Sequence, residues 1–489
     1  MLLFAPVYDL KKFDMKNVDS PLCIDLDGTL VRTDTLVETA VLLVKKNPFY
    51  VFSILLWLLK GKTVLKYEIA SRVKLNASTL PYNEKVIDYA ITEKSKGREL
   101  WLVTAANELI ANPIAQHIGI FDKVLASDVT INLSASKKAK KLVKEIGEKN
   151  FDYMGNSKDD LKVWEHARNA IIVDLPEKYE CEVSSPIAEK IQSPKPSIKI
   201  WLKQLRVHQW AKNALIFVPF IAAHQFSNIN GLLLCILAFI TFSLCASSVY
   251  ILNDLLDLEA DRKHSKKRFR PLASGNISLI KGTLATTLLL AGTLLLCLIL
   301  PIEFISILVI YYVLTLLYSF WLKKLMVFDV ATLSLLYSIR ILAGGAASGI
   351  ILSNWLISFS MFLFFSLAII KRVVELRSAV DLNKKIAGRG YTPSDLPILV
   401  SAGISAGYIS ILVFTLYIES VRQTSALANY EILYFISPLL FIWLTRIWLL
   451  TWRDEMHDDP VAFALKDLPS KIIGLIIIVI FIFSAGTLN

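Results

Sequence analysis

Apolar residues are spread so unevenly along this chain that they divide it in two. Of 489 residues 54% are hydrophobic, and the mean hydropathy is positive. Apolar stretches of about 20 residues, the length that crosses a bilayer, all lie after about residue 213. The first 190 residues have the mixed composition of a soluble domain. A break follows over residues 176–198, where Pro176, Pro186, Pro194 and Pro196 read as a linker. The net charge of +11 is accounted for by cytoplasmic loops and anionic lipid, so no nucleic-acid partner is expected. Cys23, Cys181, Cys235, Cys245 and Cys297 form no CxxC pair and imply neither a disulfide framework nor a zinc site. Met1-Leu2-Leu3-Phe4-Ala5-Pro6 lacks the basic region that precedes the apolar run of a signal peptide.

Nine spans are expected, near 214–228, 231–252, 280–299, 302–321, 327–347, 354–372, 395–418, 432–451 and 471–487. A basic, aromatic stretch from Ile198 to Asn213 reads as an interfacial helix leading into them. The loops at 253–280, 322–326, 373–394 and 452–470 carry nearly all the Lys and Arg, whereas the opposite loops carry almost none except Arg422. The positive-inside rule then puts the first set and the N-terminal domain in the cytoplasm, with the C-terminus outside.

One cytoplasmic loop stands out. Asn253, Asp254, Asp257 and Asp261 follow the second span, and Arg262, Lys267, Arg268, Arg270 and Pro271 come directly after. Spacings of three and four would stack the three carboxylates on one helical face. Such a stripe repels itself unless a cation sits in it, and Mg²⁺ binds through one or two carboxylates plus substrate phosphates. A solvated mixed-charge loop has the same composition. The order, with acids at a helix end and bases after, favours a metal–diphosphate site.

Ionisable groups within the spans are costly and usually face a cavity. Asp329 opens the fifth span, with Arg340 three turns in, followed by Gly344 and Gly345. Lys323 and Lys324 close the fourth span, and Lys371 and Arg372 the sixth, with Glu375 and Asp381 just beyond. The end-positioned lysines also suit ordinary topology anchoring; Arg340 does not. One phosphate-binding vestibule could gather these groups.

In the N-terminal part, Pro21–Leu30 is a short buried-strand pattern ending in Asp25-Leu26-Asp27-Gly28-Thr29. A strand with this ending presents its carboxylates where α/β sheets bind ligands. Two more strands are expected, one ending in Val103-Thr104 and one in Gly155-Asn156-Ser157-Lys158-Asp159-Asp160, with a lysine-rich helix from Ser136 to Lys141 between them. Together these motifs resemble the haloacid dehalogenase superfamily of phosphatases. The resemblance implies a Rossmann-like α/β fold over residues 1–175 with a cap at about 36–96. It makes Asp25 the nucleophile that becomes an aspartyl-phosphate, Asp27 the general acid/base, Thr104 a phosphoryl ligand and Lys138 the charge neutraliser. Lys137 and Lys123 remain open for the lysine role. Asp25, Asp27, Asn156 and Asp160 would hold Mg²⁺, with Asn156 standing where many relatives have Asp. Within the cap, Pro48–Leu59 is strongly apolar, flanked by Lys45, Lys46, Lys60 and Lys62, and too short to span. It is expected to lie in the lipid interface.

The motif NDxxDxxxD after the second of nine spans resembles the UbiA superfamily of intramembrane prenyltransferases. Gln209-Trp210-Ala211-Lys212-Asn213, Lys267-Arg268-Phe269-Arg270-Pro271, Tyr318–Lys323 and Asp459–Asp467 are similar to its decaprenyl-phosphate phosphoribosyltransferase branch. The second Asp-rich motif of ordinary prenyltransferases is missing, and Lys371-Arg372-x-x-Glu375 stands in its place. The resemblance implies an all-α polytopic membrane domain over residues 199–489. In it, Mg²⁺ on Asp254, Asp257 and Asp261 holds the diphosphate of phosphoribosyl pyrophosphate. Asn253 orients these ligands, and Lys212, Asn213, Arg262, Lys267, Arg268, Arg270, Lys323, Arg340, Lys371 and Arg372 contact the substrates. A polyprenyl phosphate in the bacterial inner membrane is the acceptor, and the fused phosphatase removes the 5′-phosphate of the product. Two alternatives are a prenyltransferase acting on a small acceptor and a transporter or lipid-binding protein with an inert soluble domain. Lipid chain length and oligomeric state, a homo-oligomer included, are left open.

Overall fold

The computed structural model describes residues 20–194, 196–225, 227–377, 390–424, 429–456 and 459–484. The chain forms two compact units, one ending at Gln204 but also taking in Asp254–Leu284, the other comprising Leu205–Asn253 and the chain from Ala285 onward.

The first unit is built on six parallel strands, β1 (Leu22–Ile24), β2 (Leu100–Asn107), β3 (Lys123–Ser127), β4 (Asp152–Gly155), β5 (Ala170–Val173) and β6 (Ile187–Ile191), in the order β3-β2-β1-β4-β5-β6. Helices α1 (Thr35–Lys46), α2 (Tyr50–Leu59), α3 (Lys62–Ala70), α4 (Glu84–Ser95), α5 (Glu108–Ile118), α6 (Ala135–Ile146), α7 (Leu161–Trp164) and α8 (Glu177–Glu180) connect them. The central strands are mostly apolar because both faces are covered. Leu22 and Ile24 pack on one face with Leu102, Val86, Ala90 and Ile114. Cys23 packs on the other with Trp101, Val103, Tyr153 and Trp164. β1 lies between β2 and β4, with Ile24 level with Leu102 and Met154, so Asp25 leaves the middle of the sheet.

Two expected boundaries shift. The cap expected over 36–96 is smaller, because α4 buries Val86 and Ala90 in the sheet core; α1 to α3 stand apart around Leu43, Leu65 and Ile69. The linker expected over 176–198 contains β6, paired with β5 from Ala170↔Ile187 to Val173↔Ile191. Prolines flank β6 without interrupting it, as an edge strand permits.

A further helix, α9 (Ile198–Gln204), closes the first unit's N-terminal section, and the second unit follows with α10 (Val218–Ala222) and α11 (Ile229–Leu256). The return segment of the first unit holds α12 (Leu258–Lys263) and the start of α13 (Leu279–Cys297). The rest comprises α14 (Ile302–Phe320), α15 (Phe328–Ser348), α16 (Asn354–Arg377), α17 (Leu396–Thr424), α18 (Ile436–Trp452), α19 (Pro460–Ala464) and α20 (Leu468–Ser484). Among the described residues seven helices, α11, α13 to α16, and α17 and α18 with their leading turns, are long and apolar enough to cross a membrane. The count of nine is not reached. The first expected span, 214–228, is a 3-10 helix over Val207–Phe217 followed by the five-residue α10. Pro219 opens a new helix there instead of continuing one, and Lys212 and Asn213 turn inward to polar partners. The ninth, α20, has 17 residues.

Candidate active sites

Three parallel strands end side by side at the first site. Asp25 follows β1, Thr104 lies in β2 and Asn156 follows β4, with the Asp25 amide donating to Met154 O at 3.0 Å. Gly28 has φ +76°, and a Cβ there would sit 2.0 Å from Asn156 Nδ2. Only glycine lets the Asp25–Thr29 turn close over Asn156. Lys138, on α6, donates to Asp25 Oδ1 at 2.8 Å and to the Tyr153 hydroxyl at 2.7 Å. Of the three lysines left open, Lys138 meets Asp25, whereas Lys137 is exposed and Lys123 pairs with Glu145. The Thr35 amide donates to Asp27 Oδ1 at 2.7 Å, and Thr104 Oγ1 accepts from the Ala106 amide at 2.9 Å.

Asp160 is already well bonded. Its Oδ2 accepts from the Asn156 and Ser157 amides and the Ser157 hydroxyl, and its Oδ1 from Tyr153. It therefore braces the loop and Lys138 from behind. The buried Asn156 Oδ1 has no partner among the described residues. An orphaned carbonyl oxygen beside the Asp25 turn fits the all-oxygen shell of a hard cation, with one charge fewer than an aspartate would supply. Burial pushes Asp25 up to about 6, against the pull of Lys138. Burial and the neighbouring Asp34 push Asp27 up to about 7. Burial works against the Lys138 charge, but Asp25 and Asp160 hold it above the ordinary lysine value. One carboxylate is thus paired with a cation and the other biased toward its protonated form, which suits a nucleophile and a proton donor. Lys66, on α3, donates to Ala105 O at 2.6 Å and Asn132 Oδ1 at 3.0 Å. Nothing in the sequence marks this lysine among the others of the cap.

The aspartate-rich loop departs from expectation in one respect. The three carboxylates do not share a helical face, because the helix breaks at Asp257 (φ −101°, ψ 11°) between α11 and α12. Asp254 and Asp261 converge on one guanidinium nitrogen, Arg270 Nη1, at 3.0 and 2.6 Å. Asp257 turns to Lys45 of α1, 3.6 Å away. Gln204 donates to Asp254 Oδ2 at 3.0 Å; only the fold reveals that partner. Among the described residues no three acidic, His or Cys side chains form a metal cage. Two carboxylates that converge on one cationic nitrogen still fit Mg²⁺, which takes few protein carboxylates and completes its shell with phosphate oxygens. Burial raises Asp261 above the usual carboxylate value despite Arg270. Lys267 and Arg268 are exposed. Arg262 is half-buried and bonds Glu38.

The second unit holds its own polar clusters. Asp459 takes Lys212 as its ion-pair partner, accepts from the Tyr337 hydroxyl at 3.1 Å and lies 3.7 Å from Lys371. Burial works against the Asp459 charge, but Lys212 and Lys371 hold it well below the usual carboxylate range. Arg340 Nε donates to Asn213 Oδ1 at 2.8 Å, Asn213 donates to Ser243, and the guanidinium lies 5.2 and 5.3 Å from the Phe242 and Tyr311 rings. Arg372 is 1% exposed and pairs with Asp329 and Glu375, with Tyr318 at 3.0 Å. Its charge is therefore compensated by protein carboxylates. Lys323 lies in the short turn Leu322–Lys324 after α14. Asn253 Oδ1 is buried without a partner among the described residues, and Asp381 lies outside them.

Residues 214–468 match the UbiA prenyltransferase family. The chain belongs to that family. Ahead of the matched region, this UbiA-family enzyme carries the parallel α/β sheet of its first unit, whose strand ends bring Asp25, Lys138 and Asn156 together. With its long apolar helices it is a multi-pass membrane protein. The protein y4nM of Sinorhizobium fredii is 38% identical over 96% of this chain and 92% of its own length. The decaprenyl-phosphate phosphoribosyltransferase of Mycobacterium tuberculosis (strain H37Rv) is 37% identical over 36% of this chain and 60% of its own length. Among solved structures, a UbiA homolog from Archaeoglobus fulgidus bound to DMAPP and Mg²⁺ aligns with 59% of this chain and 99% of its own at 19% identity and a TM-score of 0.46.

Proposed function

We propose that this UbiA-family enzyme transfers 5-phosphoribose from phosphoribosyl pyrophosphate to a polyprenyl phosphate, and that its phosphatase-like site then removes the 5′-phosphate. The observation that carries the first step is the convergence of Asp254 and Asp261 on a single cation position in a loop rich in arginine and lysine. Similarity to decaprenyl-phosphate phosphoribosyltransferases supports the choice of donor and acceptor.

In this reading a lipid phosphate oxygen attacks the anomeric carbon, the C1–O bond to pyrophosphate breaks, and the bonding pair leaves with pyrophosphate. Mg²⁺, when bound, neutralises the leaving diphosphate. Asp254 and Asp261 would hold it, Gln204 keeps Asp254 turned inward, and Lys267, Arg268 and Arg270 supply positive charge to the phosphates. Lys212, Asn213, Arg340 and Lys371 are proposed as further substrate-binding residues. The step needs positioning and charge neutralisation more than a base.

In the second step Asp25 attacks phosphorus and the ribose 5′-oxygen leaves with a proton from Asp27. Water then attacks the aspartyl-phosphate, gives its proton to Asp27 and releases phosphate. Lys138 stays charged beside the transferred group, and Thr104 is proposed as a phosphoryl ligand. Asp25 and Asn156 would hold the Mg²⁺ of this site.

Labelled phosphoribosyl pyrophosphate supplied with a polyprenyl phosphate to purified protein tests the transfer. Labelled lipid is expected. Label transfer only from a polyprenyl diphosphate to a small acceptor would replace this reading with a prenyltransferase.

The lipid acceptor gives the apolar cap helix a role. Tyr50, Ile54 and Trp57 pack inward on Leu43, Leu65 and Ile69. Phe52, Leu55, Leu56 and Leu59 are 66%, 55%, 60% and 86% exposed. We propose that this face enters the lipid interface and that both sites are cytoplasmic. Leu55→Ser/Leu56→Ser/Leu59→Ser should raise KM for the lipid-linked phosphate about tenfold or more, by removing about 1.5–3 kcal/mol of burial per side chain. KM for a soluble phosphomonoester should not change. Equal KM values for the lipid substrate would exclude the interfacial role.

A further inference from the structure

Arg262 neighbours Asp261 and reads in sequence as a phosphate ligand, but its fold environment gives it another partner. Its side chain is 7% exposed and that of Glu38 is 4%. Its two terminal nitrogens donate to the two Glu38 oxygens at 2.6 and 3.2 Å, and its Nε donates to Ala273 O at 2.9 Å. A bidentate guanidinium–carboxylate pair fixes orientation as well as distance. Removing one partner from a buried pair leaves the other charge unopposed.

Glu38 lies in the first turn of α1, the turn that forms one wall of the phosphatase-like site. Its Oε2 also accepts from the Thr33 hydroxyl at 2.9 Å. Asp34 caps the Val37 amide at 2.9 Å, and the Thr35 amide donates to Asp27 Oδ1 at 2.7 Å. A continuous path of short bonds therefore runs from Arg262 through Glu38 and the α1 N-terminus to Asp27. The same loop touches this segment again at Gly275, where a Cβ would lie 2.8 Å from Arg32 Cβ and 3.1 Å from Arg32 O. Gly275 has φ +74°, so glycine suits both the turn and the close approach.

We propose that Arg262 is a positioning residue of the phosphatase-like site, holding through Glu38 the first turn of α1 whose Thr35 amide orients Asp27. The proposal rests on the phosphatase reading for its catalytic consequence. Held by Thr35, the Asp27 carboxyl has a fixed direction in which to deliver a proton. A loosened turn misdirects the donor without altering how the phosphoryl group binds. The aspartate-rich loop of the transferase part thereby becomes a component of the phosphatase.

The test uses the full chain in detergent or nanodiscs, with Arg262→Gln and the isosteric Glu38→Gln, which leaves the fold's packing intact if the first variant does not fold. With para-nitrophenyl phosphate as probe, kcat should fall about tenfold, part of the 10²–10⁴ that a positioned acid contributes, with KM changed less than about twofold. Amide exchange in residues 33–38 should accelerate about tenfold while β1 and β2 stay protected. Unchanged exchange at 33–38, or loss of protection spread over β1 and β2, overturns the proposal, as does unchanged kcat in both variants. If wild type releases no phosphate, the phosphatase reading fails, and the exchange measurement alone decides whether Arg262 holds the turn.

Discussion

Asp25→Asn should lower phosphate release by about 10³-fold or more, the scale on which covalent catalysis collapses when its nucleophile is removed. The substitution is nearly isosteric and keeps a hydrogen-bond acceptor for Lys138, so the fold should be retained. The transfer step should continue, and the lipid product should accumulate with its 5′-phosphate, one phosphate heavier in mass spectrometry than the wild-type product. Equal phosphate release from both proteins would remove Asp25 from the nucleophile role. Lys138 sits 2.8 Å from Asp25, so the variant leaves that ammonium without a full counter-charge. A compensating effect at Lys138 would show as altered stability, which thermal unfolding of the variant reports separately from activity.

The second large effect is expected at the aspartate-rich loop, where the three acids should differ. Asp254→Asn and Asp261→Asn should each reduce formation of the labelled lipid by about 10²–10³-fold, since each removes a charge from the position proposed to neutralise the leaving diphosphate. Asp257→Asn should cost about tenfold, because Asp257 pairs with Lys45, whereas Asp254 and Asp261 meet at Arg270. The order of the three effects is the informative measurement. Equal losses at all three positions would mean that Asp257 turns to join the others during turnover. Raising Mg²⁺ should recover part of the activity of the single variants if they weaken metal binding. No recovery at any concentration would point to Arg270 as the main charge in that site.

Much of this molecule is local in origin and therefore readable from its sequence. Apolar runs announce membrane helices because a bilayer leaves few ways to satisfy a backbone. The runs from Ile302 to Phe320 and from Asn354 to Arg377 are helices close to where hydropathy places them. The strand ending in Asp25-Leu26-Asp27-Gly28 is legible because this buried parallel strand is a short apolar run, Leu22-Cys23-Ile24, and its turn needs a glycine. By contrast, β6 reads as linker in the sequence, since its alternating Ile-Ala-Glu-Lys-Ile is half polar and bracketed by prolines. It becomes a strand only because β5 offers it an unpaired edge. The first expected span failed for a related reason: hydropathy over 214–228 cannot register that Pro219 starts a new helix.

Charge was the least legible feature. Sequence shows that Arg262, Arg270 and Arg372 are cationic, but not whether the compensating anion is substrate or protein. Arg262 finds Glu38 at a sequence separation of 224 residues, and Lys212 finds Asp459 at 247. Arg372 is compensated by Asp329 and Glu375 within the second unit. Lys137 and Lys138 are adjacent and chemically identical, and α6 turns only the second toward Asp25. The residue types and the membrane partition thus belong to the sequence, because hydropathy and strand or helix period act over a few neighbours. Which carboxylate each cation meets belongs to the tertiary structure, because burial brings together charges that no local pattern connects.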